Sequence, residues 1–169
     1  MNKEIEILSD YSISEDDLAS RYPHKINDEY ILQFLDDLYK KKDGKLMEYM
    51  SRIAYRISSF DKLSPIFRKL ITETWHKEHE DLASFFESTV RDFNCIDDII
   101  TAMHLKCDYW YDDGDAFIRK CAYVLGNLAT PYAIKRLKDL TKDDNEIVKK
   151  YAHYQLEKIS DRYAVKNAK

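Results

Sequence analysis

Two stretches near the C-terminus repeat each other 30 residues apart. Asp115-Ala116-Phe117-Ile118-Arg119-Lys120-Cys121-Ala122-Tyr123 aligns with Asn145-Glu146-Ile147-Val148-Lys149-Lys150-Tyr151-Ala152-His153, with apolar pair, basic pair and Ala in register. Recurrence at such a period marks stacked supersecondary units, none of which can bury its apolar face alone. Between the copies, Thr130-Pro131 supplies an N-cap hydroxyl followed by Pro at the first helical position, and Ile134, Leu137 and Leu140 then fall on one face. Asp143-Asp144-Asn145 ends that helix and caps the next, whose stripe is Ile147, Val148, Tyr151, Ala152, Leu156 and Ile159. The unit is a hairpin of two antiparallel helices.

Helices suit the rest of the chain as well. Only 3 Gly and 3 Pro occur in 169 residues, where average usage would supply about a dozen and about eight. Hairpin turns and nucleotide-binding loops consume Gly, so sheet folds and Gly-rich phosphate cradles are excluded. Extending the period backward predicts outer helices near 29–41, 64–76, 95–106 and 131–141, and inner helices near 45–59, 79–93, 115–128 and 145–160. Ser64-Pro65 reads as a second cap-plus-Pro start. The inner stripes superpose as Met50/Ile53/Ala54/Ile57, Phe86/Thr89/Val90/Phe93, Ile118/Cys121/Ala122/Leu125 and Val148/Tyr151/Ala152/Gln155. Ala54, Ala122 and Ala152 should therefore be buried at equivalent positions. Ser14-Glu15-Asp16-Asp17 followed by Leu18 signals a short capping helix within residues 1–25. The expectation is one all-α domain over 1–169: cap 1–25, repeats 26–160 and a flexible tail 161–169.

The block Leu125-Gly126-Asn127-Leu128-Ala129-Thr130-Pro131-Tyr132-Ala133-Ile134, then Leu137, Leu140 and Asp144-Asn145-Glu146-Ile147-Val148-Lys149-Lys150-Tyr151-Ala152, resembles the HEAT and HEAT-like repeat family. It matches the family's Leu-Gly, Pro-x-Ala-Ile and acidic-turn, Val-Arg, Ala pattern, with Lys149 where Arg is usual. The resemblance implies an alpha-solenoid of about four degenerate hairpins whose inner helices line a concave surface. On that surface a 100° step places two ridges: Arg52, Ser88, Lys120, Lys150, and Tyr55, Arg91, Tyr123, His153. Basic and aromatic side chains in one groove suit an acidic surface or a phosphate backbone, and equally an ordinary solvated helix face. A second candidate surface is Tyr109-Trp110-Tyr111-Asp112-Asp113-Gly114-Asp115. Three successive aromatics cannot all face one core, so Tyr109 or Tyr111 should be exposed beside the carboxylates as an interface. Trp110 suits the same interface or a plug between repeats.

Signs of catalysis are thin. Glu73, His76, His79 and Glu80 could cluster, but the His-Glu-x-x-His arrangement is missing, and the spacing reads as a solvated polar helix end with no metal and no cofactor. His104-x-x-Cys107 lacks partners. The aspartate pairs sit where helices begin or turn and read as structural. Cys95, Cys107 and Cys121 are odd in number and widely spaced, Met1 to Glu6 has no apolar h-region, and no apolar run approaches the ~20 residues of a membrane span. These features predict a cytoplasmic chain that leaves membranes alone. Net charge is −4, with 7 basic and 11 acidic residues over 1–45 but 10 basic and 6 acidic over 130–169, a polarity able to steer a charged partner. The expected function is a non-enzymatic protein-binding module, since small HEAT-like chains resemble bacterial immunity proteins that bind and occlude a toxin. A nucleic-acid-binding protein resembling the HEAT-like alkylpurine DNA glycosylases is the alternative.

Overall fold

In a computed structural model the chain is all-helical. The structure describes residues 7, 9, 10, 12–21, 27–57, 59–88 and 92–167, without the side chains at 15, 19, 55–57, 88 and 165–167. Nine α-helices lie among the described residues: α1 Glu15–Arg21, α2 Asp28–Lys41, α3 Gly44–Ile57, α4 Phe60–Leu70, α5 His79–Ser88, α6 Ile96–Met103, α7 Asp115–Leu128, α8 Pro131–Leu140 and α9 Glu146–Asn167. A 3-10 turn, Phe93–Cys95, leads into α6.

The caps follow from local chemistry. Ser14 Oγ accepts the Asp17 amide at 3.1 Å and donates to the Asp17 carboxylate, starting α1, whose Leu18 is buried. Asn27 accepts from the Tyr30 amide at 2.8 Å, Thr130 from the Ala133 amide at 3.0 Å, and Asn145 from the Ile147 amide at 2.9 Å. The second cap-plus-Pro start requires correction. α4 begins at Phe60, a turn before Ser64; Pro65 lies inside the helix, and Ser64 is buried with its hydroxyl on the Asp92 carboxylate. Two further differences concern Phe93, expected on a buried stripe but 55% exposed in the 3-10 turn, and residues 161–167, expected as a tail but helical as far as Asn167.

Packing joins α2 to α3 and α4, α4 to α6, and places α5, α7 and α9 side by side, with α6 and α8 against α7 and α8 against α9. Ala54, Ala122 and Ala152 are all fully buried. Phe67, Phe85, Phe86 and Phe117 supply the largest core side chains, each worth about 1.5–3 kcal/mol of burial. Polar bonds tie the units together at a recurring spacing. Between described residues, every side-chain hydrogen bond spanning more than six positions spans 27 to 40: Ser51 to Glu78 at the short end, Tyr39 to Glu73, Arg68 to Asp98, Tyr132 to Asp97, and Asn127 to the Glu87 carbonyl at the long end.

The first turn of α3 meets the Trp75-His76 backbone directly. A methyl added at Gly44 would lie 2.4 Å from the Trp75 carbonyl oxygen, which is backbone and cannot swing away. Gly44→Ala is expected to destabilise by about 1–3 kcal/mol through forced separation of these segments. Urea unfolding checks this: a midpoint equal to wild type would mean the approach is looser than described.

Candidate functional site

The loop between α6 and α7, residues 104–114, carries the site, and His104, Tyr109, Trp110 and Asp112 anchor it. His104 donates from Nδ1 to the Ile100 carbonyl at 2.8 Å and from Nε2 to Asp143 at 2.8 Å in the following turn. Burial lowers its pKa, but the Asp143 and Ile100 bonds outweigh that and hold the ring above the ordinary histidine value. Trp110 donates its amide to the Cys107 carbonyl at 3.0 Å and stacks on Phe117 with ring centres 5.1 Å apart. Asp112 caps α7, accepting the Gly114 and Ala116 amides at 3.0 and 3.2 Å. Asp113 and Gly114 both take the left-handed conformation, and at Gly114 a Cβ would also meet the Trp110 ring at 2.9 Å. Asp115 crosses to α9, where Tyr151 donates at 2.5 Å and Lys150 at 3.2 Å; the Tyr151 bond is the main reason its carboxyl sits below the usual range.

Tyr109 and Tyr111 go opposite ways. Tyr109 is half-buried, and its hydroxyl donates to His79 Nδ1 at 2.6 Å. Tyr111 is 95% exposed at the loop tip. Asp108 and Asp113, on the same loop, are also exposed, and neither forms an ion pair with another described residue. A cleft of about 810 Å³ opens on one side, lined by His104, Trp110, Asp113, Lys142 and Asn145 among others, and one of about 550 Å³ on the other, beside Trp75, Lys77 and Tyr109. Residues 106–108 form the wall between them.

The histidine pair differs most from expectation. Read from sequence as a solvated helix end, His76 and His79 are 2% and 0% exposed, stacked with ring centres 4.5 Å apart. What buries them is the Trp75, Tyr109, Trp110 and Phe117 rings, contributed partly by a loop 30 residues further on. His76 donates from Nε2 to the Leu70 carbonyl at 2.8 Å and accepts the Glu78 amide at Nδ1; His79 donates from Nε2 to the Glu73 carbonyl at 2.7 Å. The Glu78 amide fixes His76 as its neutral Nε2–H tautomer, whereas the Tyr109 hydroxyl can serve His79 Nδ1 as donor or acceptor. Burial lowers both pKa values, His79 to about 4. The Glu73 carboxylate is held by the Tyr39 hydroxyl and the Trp75 indole. Among the described residues no group of three or more His, Cys, Asp or Glu is placed to hold a metal. Burial pushes the Cys95 thiol up to about 12 and raises Cys107 and Cys121, leaving them poor nucleophiles.

The cations expected to form a basic ridge are paired where they are described. Arg52 pairs with Glu48 at 2.9 Å, Lys120 with Glu80 at 3.0 Å across α5 and α7, and Lys150 with Asp115 across α7 and α9. Tyr123 lies 5.9 Å from Tyr154, and His153 is exposed. The side chains of Tyr55 and Ser88, and all of Arg91, lie outside the described residues. Sequence reasoning overlooked the pairing acids, Glu80 standing 40 positions before Lys120 and Asp115 standing 35 before Lys150.

No family model, no curated protein and no solved structure matches this chain. Among the described residues no helix is long and apolar enough to cross a membrane.

Proposed function

We propose that this chain is a non-enzymatic protein-binding module, a short HEAT-like alpha-solenoid that works in the cytoplasm as a bacterial immunity protein does, by covering a cognate toxin. Support for the stacked hairpins comes from the polar bonds spanning 27 to 40 residues, which join each unit to the next. The observation that carries the functional reading is Tyr111. It is fully presented to solvent on a loop whose neighbours are locked by His79, Phe117 and the α7 cap. An exposed aromatic carried on a backbone that its neighbours hold is the kind of residue in which hot spots concentrate binding energy. Asp108 and Asp113 beside it favour a cationic partner surface and would speed its capture. The nucleic-acid alternative is weakened by the ion pairs that cancel Arg52, Lys120 and Lys150, because phosphate binding needs uncommitted cations.

Affinity capture from the native cells, run with wild type and Tyr111→Ala in parallel, tests the reading. Wild type is expected to retain a nuclease-resistant protein partner, and Tyr111→Ala to bind it more weakly by about 2 kcal/mol, roughly thirtyfold. Stability should change by no more than about 0.5 kcal/mol, since the ring touches little of the fold. Recovery of nucleic acid, released by salt and indifferent to Tyr111, would favour the alternative.

A further inference from the structure

We propose that the cleft of about 550 Å³ beside Tyr109 is a carboxylate-binding subsite of the docking surface, taking an acidic side chain of the protein partner. The source of the carboxylate rests on the functional reading above; the subsite itself rests on the chemistry of its walls. Lys77 enters the lining from the 71–78 turn and Lys106 from the 104–114 loop, so one cleft has a cation on each of two separate segments. Both side chains are exposed, and neither forms an ion pair with another described residue. That sets them apart from Arg52, Lys120 and Lys150, whose charges are matched by Glu48, Glu80 and Asp115. Lys77 Nζ also lies 5.9 Å from the centre of the Tyr109 ring, which places its ammonium against the cleft wall.

The rest of the lining leaves that charge in place. His76 contributes a neutral ring, since the Glu78 amide donates to its Nδ1 and burial lowers its pKa. Burial keeps Cys107 a thiol. The Trp75 indole is committed to Glu73 and the Tyr109 hydroxyl to His79, so both present ring surface to the cleft. Among the described residues of the lining, Asp108 is the one carboxylate, and two lysines outweigh it. Across the 106–108 wall the sign reverses. There Asp108, Asp113 and Asp144 outnumber Lys106 and Lys142, while Asp143 is matched by His104. Two ammonium groups can hold a carboxylate by charge-assisted hydrogen bonds, one to each oxygen. A partner surface carrying a base beside an acid would then seat in one orientation, with its base towards Asp113 and its acid towards Lys77. Opposed charges of this kind fix register as well as speeding encounter.

Sodium acetate titrated into the full chain, replacing sodium chloride mole for mole and followed by amide NMR, tests the subsite without a partner. Amides of 74–77 and 106–109 should shift along a saturating curve, with half-saturation on the order of 10 mM. The double variant Lys77→Gln, Lys106→Gln should bind acetate about fivefold more weakly with its other amides in place. Asp108→Asn, which removes the competing carboxylate, should bind it about twofold more tightly. The proposal is overturned if wild type shows no saturating shift, if the double variant matches wild type, or if Asp108→Asn binds more weakly. It is overturned equally if amides of 133–139, around the exposed Lys135 and Lys138, shift as far as those of the cleft. Against the captured partner, the double variant should bind about tenfold more weakly. If it binds normally while Tyr111→Ala binds weakly, the partner places no acid here, and the proposal falls with the docking surface standing. If Tyr111→Ala binds normally, the docking reading fails, while acetate saturation that the double variant loses would still establish the carboxylate subsite.

Discussion

Phe117→Ala is expected to cost about 3–5 kcal/mol, a large share of the ~5–15 kcal/mol that holds a domain together. The ring is fully buried in the first turn of α7, stacks on Trp110 at 5.1 Å and meets His79 edge-to-face at 5.5 Å. Its removal opens a cavity under the loop as well as losing transfer energy. Trp110 should then become more exposed, shifting its fluorescence to longer wavelength. Urea unfolding followed by circular dichroism should show a lower midpoint at an unchanged slope. A loss below about 1 kcal/mol would mean the loop is not seated on this ring.

Acid should remove almost as much. The His79 pKa is about 4 in the fold and 6.5 when solvated, so as pH falls the unfolded chain takes up this proton first. The contribution is complete above about pH 6.5 and is lost between 6.5 and 4, amounting to about 3 kcal/mol. His76, also lowered by burial, acts in the same direction. Glu78, raised by burial, and His104, raised by Asp143 and Ile100 against its own burial, bind protons more tightly when folded and act oppositely. Asp36, Asp115 and Asp143 are lowered, so their stabilisation is lost only below about pH 4. Comparing unfolding of wild type and His79→Gln at pH 7.5 and 4.5 isolates His79, because the other groups titrate in both chains. Wild type should lose about 2–3 kcal/mol more than His79→Gln. Parallel losses in the two chains would exclude His79 as the source.

The helices were legible because they bury small and apolar residues on one face. Ala54, Ala122 and Ala152 reached the core as their register implies, and Thr130, Asn145 and Ser14 cap the helices they precede. Ser64-Pro65 misled because a cap motif describes only local chemistry. Here the hydroxyl is instead drawn to Asp92, and the helix tolerates Pro65 one turn in. The histidine pair was illegible for a related reason: a polar turn reads as solvated until the aromatic loop one repeat later is folded over it. The ridge cations read as a basic groove because the counter-charges of Lys120 and Lys150 lie on neighbouring helices. Within the aromatic run, the requirement that at least one ring face solvent was sound. Which one depended on His79 capturing Tyr109 and Phe117 capturing Trp110, leaving Tyr111 outside.

Oxidative footprinting of tyrosines, with the chain free and then saturated with its captured protein partner, bears most directly on the claim that Tyr111 is the docking residue. Tyr111, at 95% exposure, should react readily in the free chain and become strongly protected in the complex, while Tyr132 and Tyr163, at 46% and 50%, should react equally in both. A Tyr111 that stays reactive in the complex, with protection at Tyr132, Tyr154 or Tyr163 instead, would contradict the account and place the partner on another face.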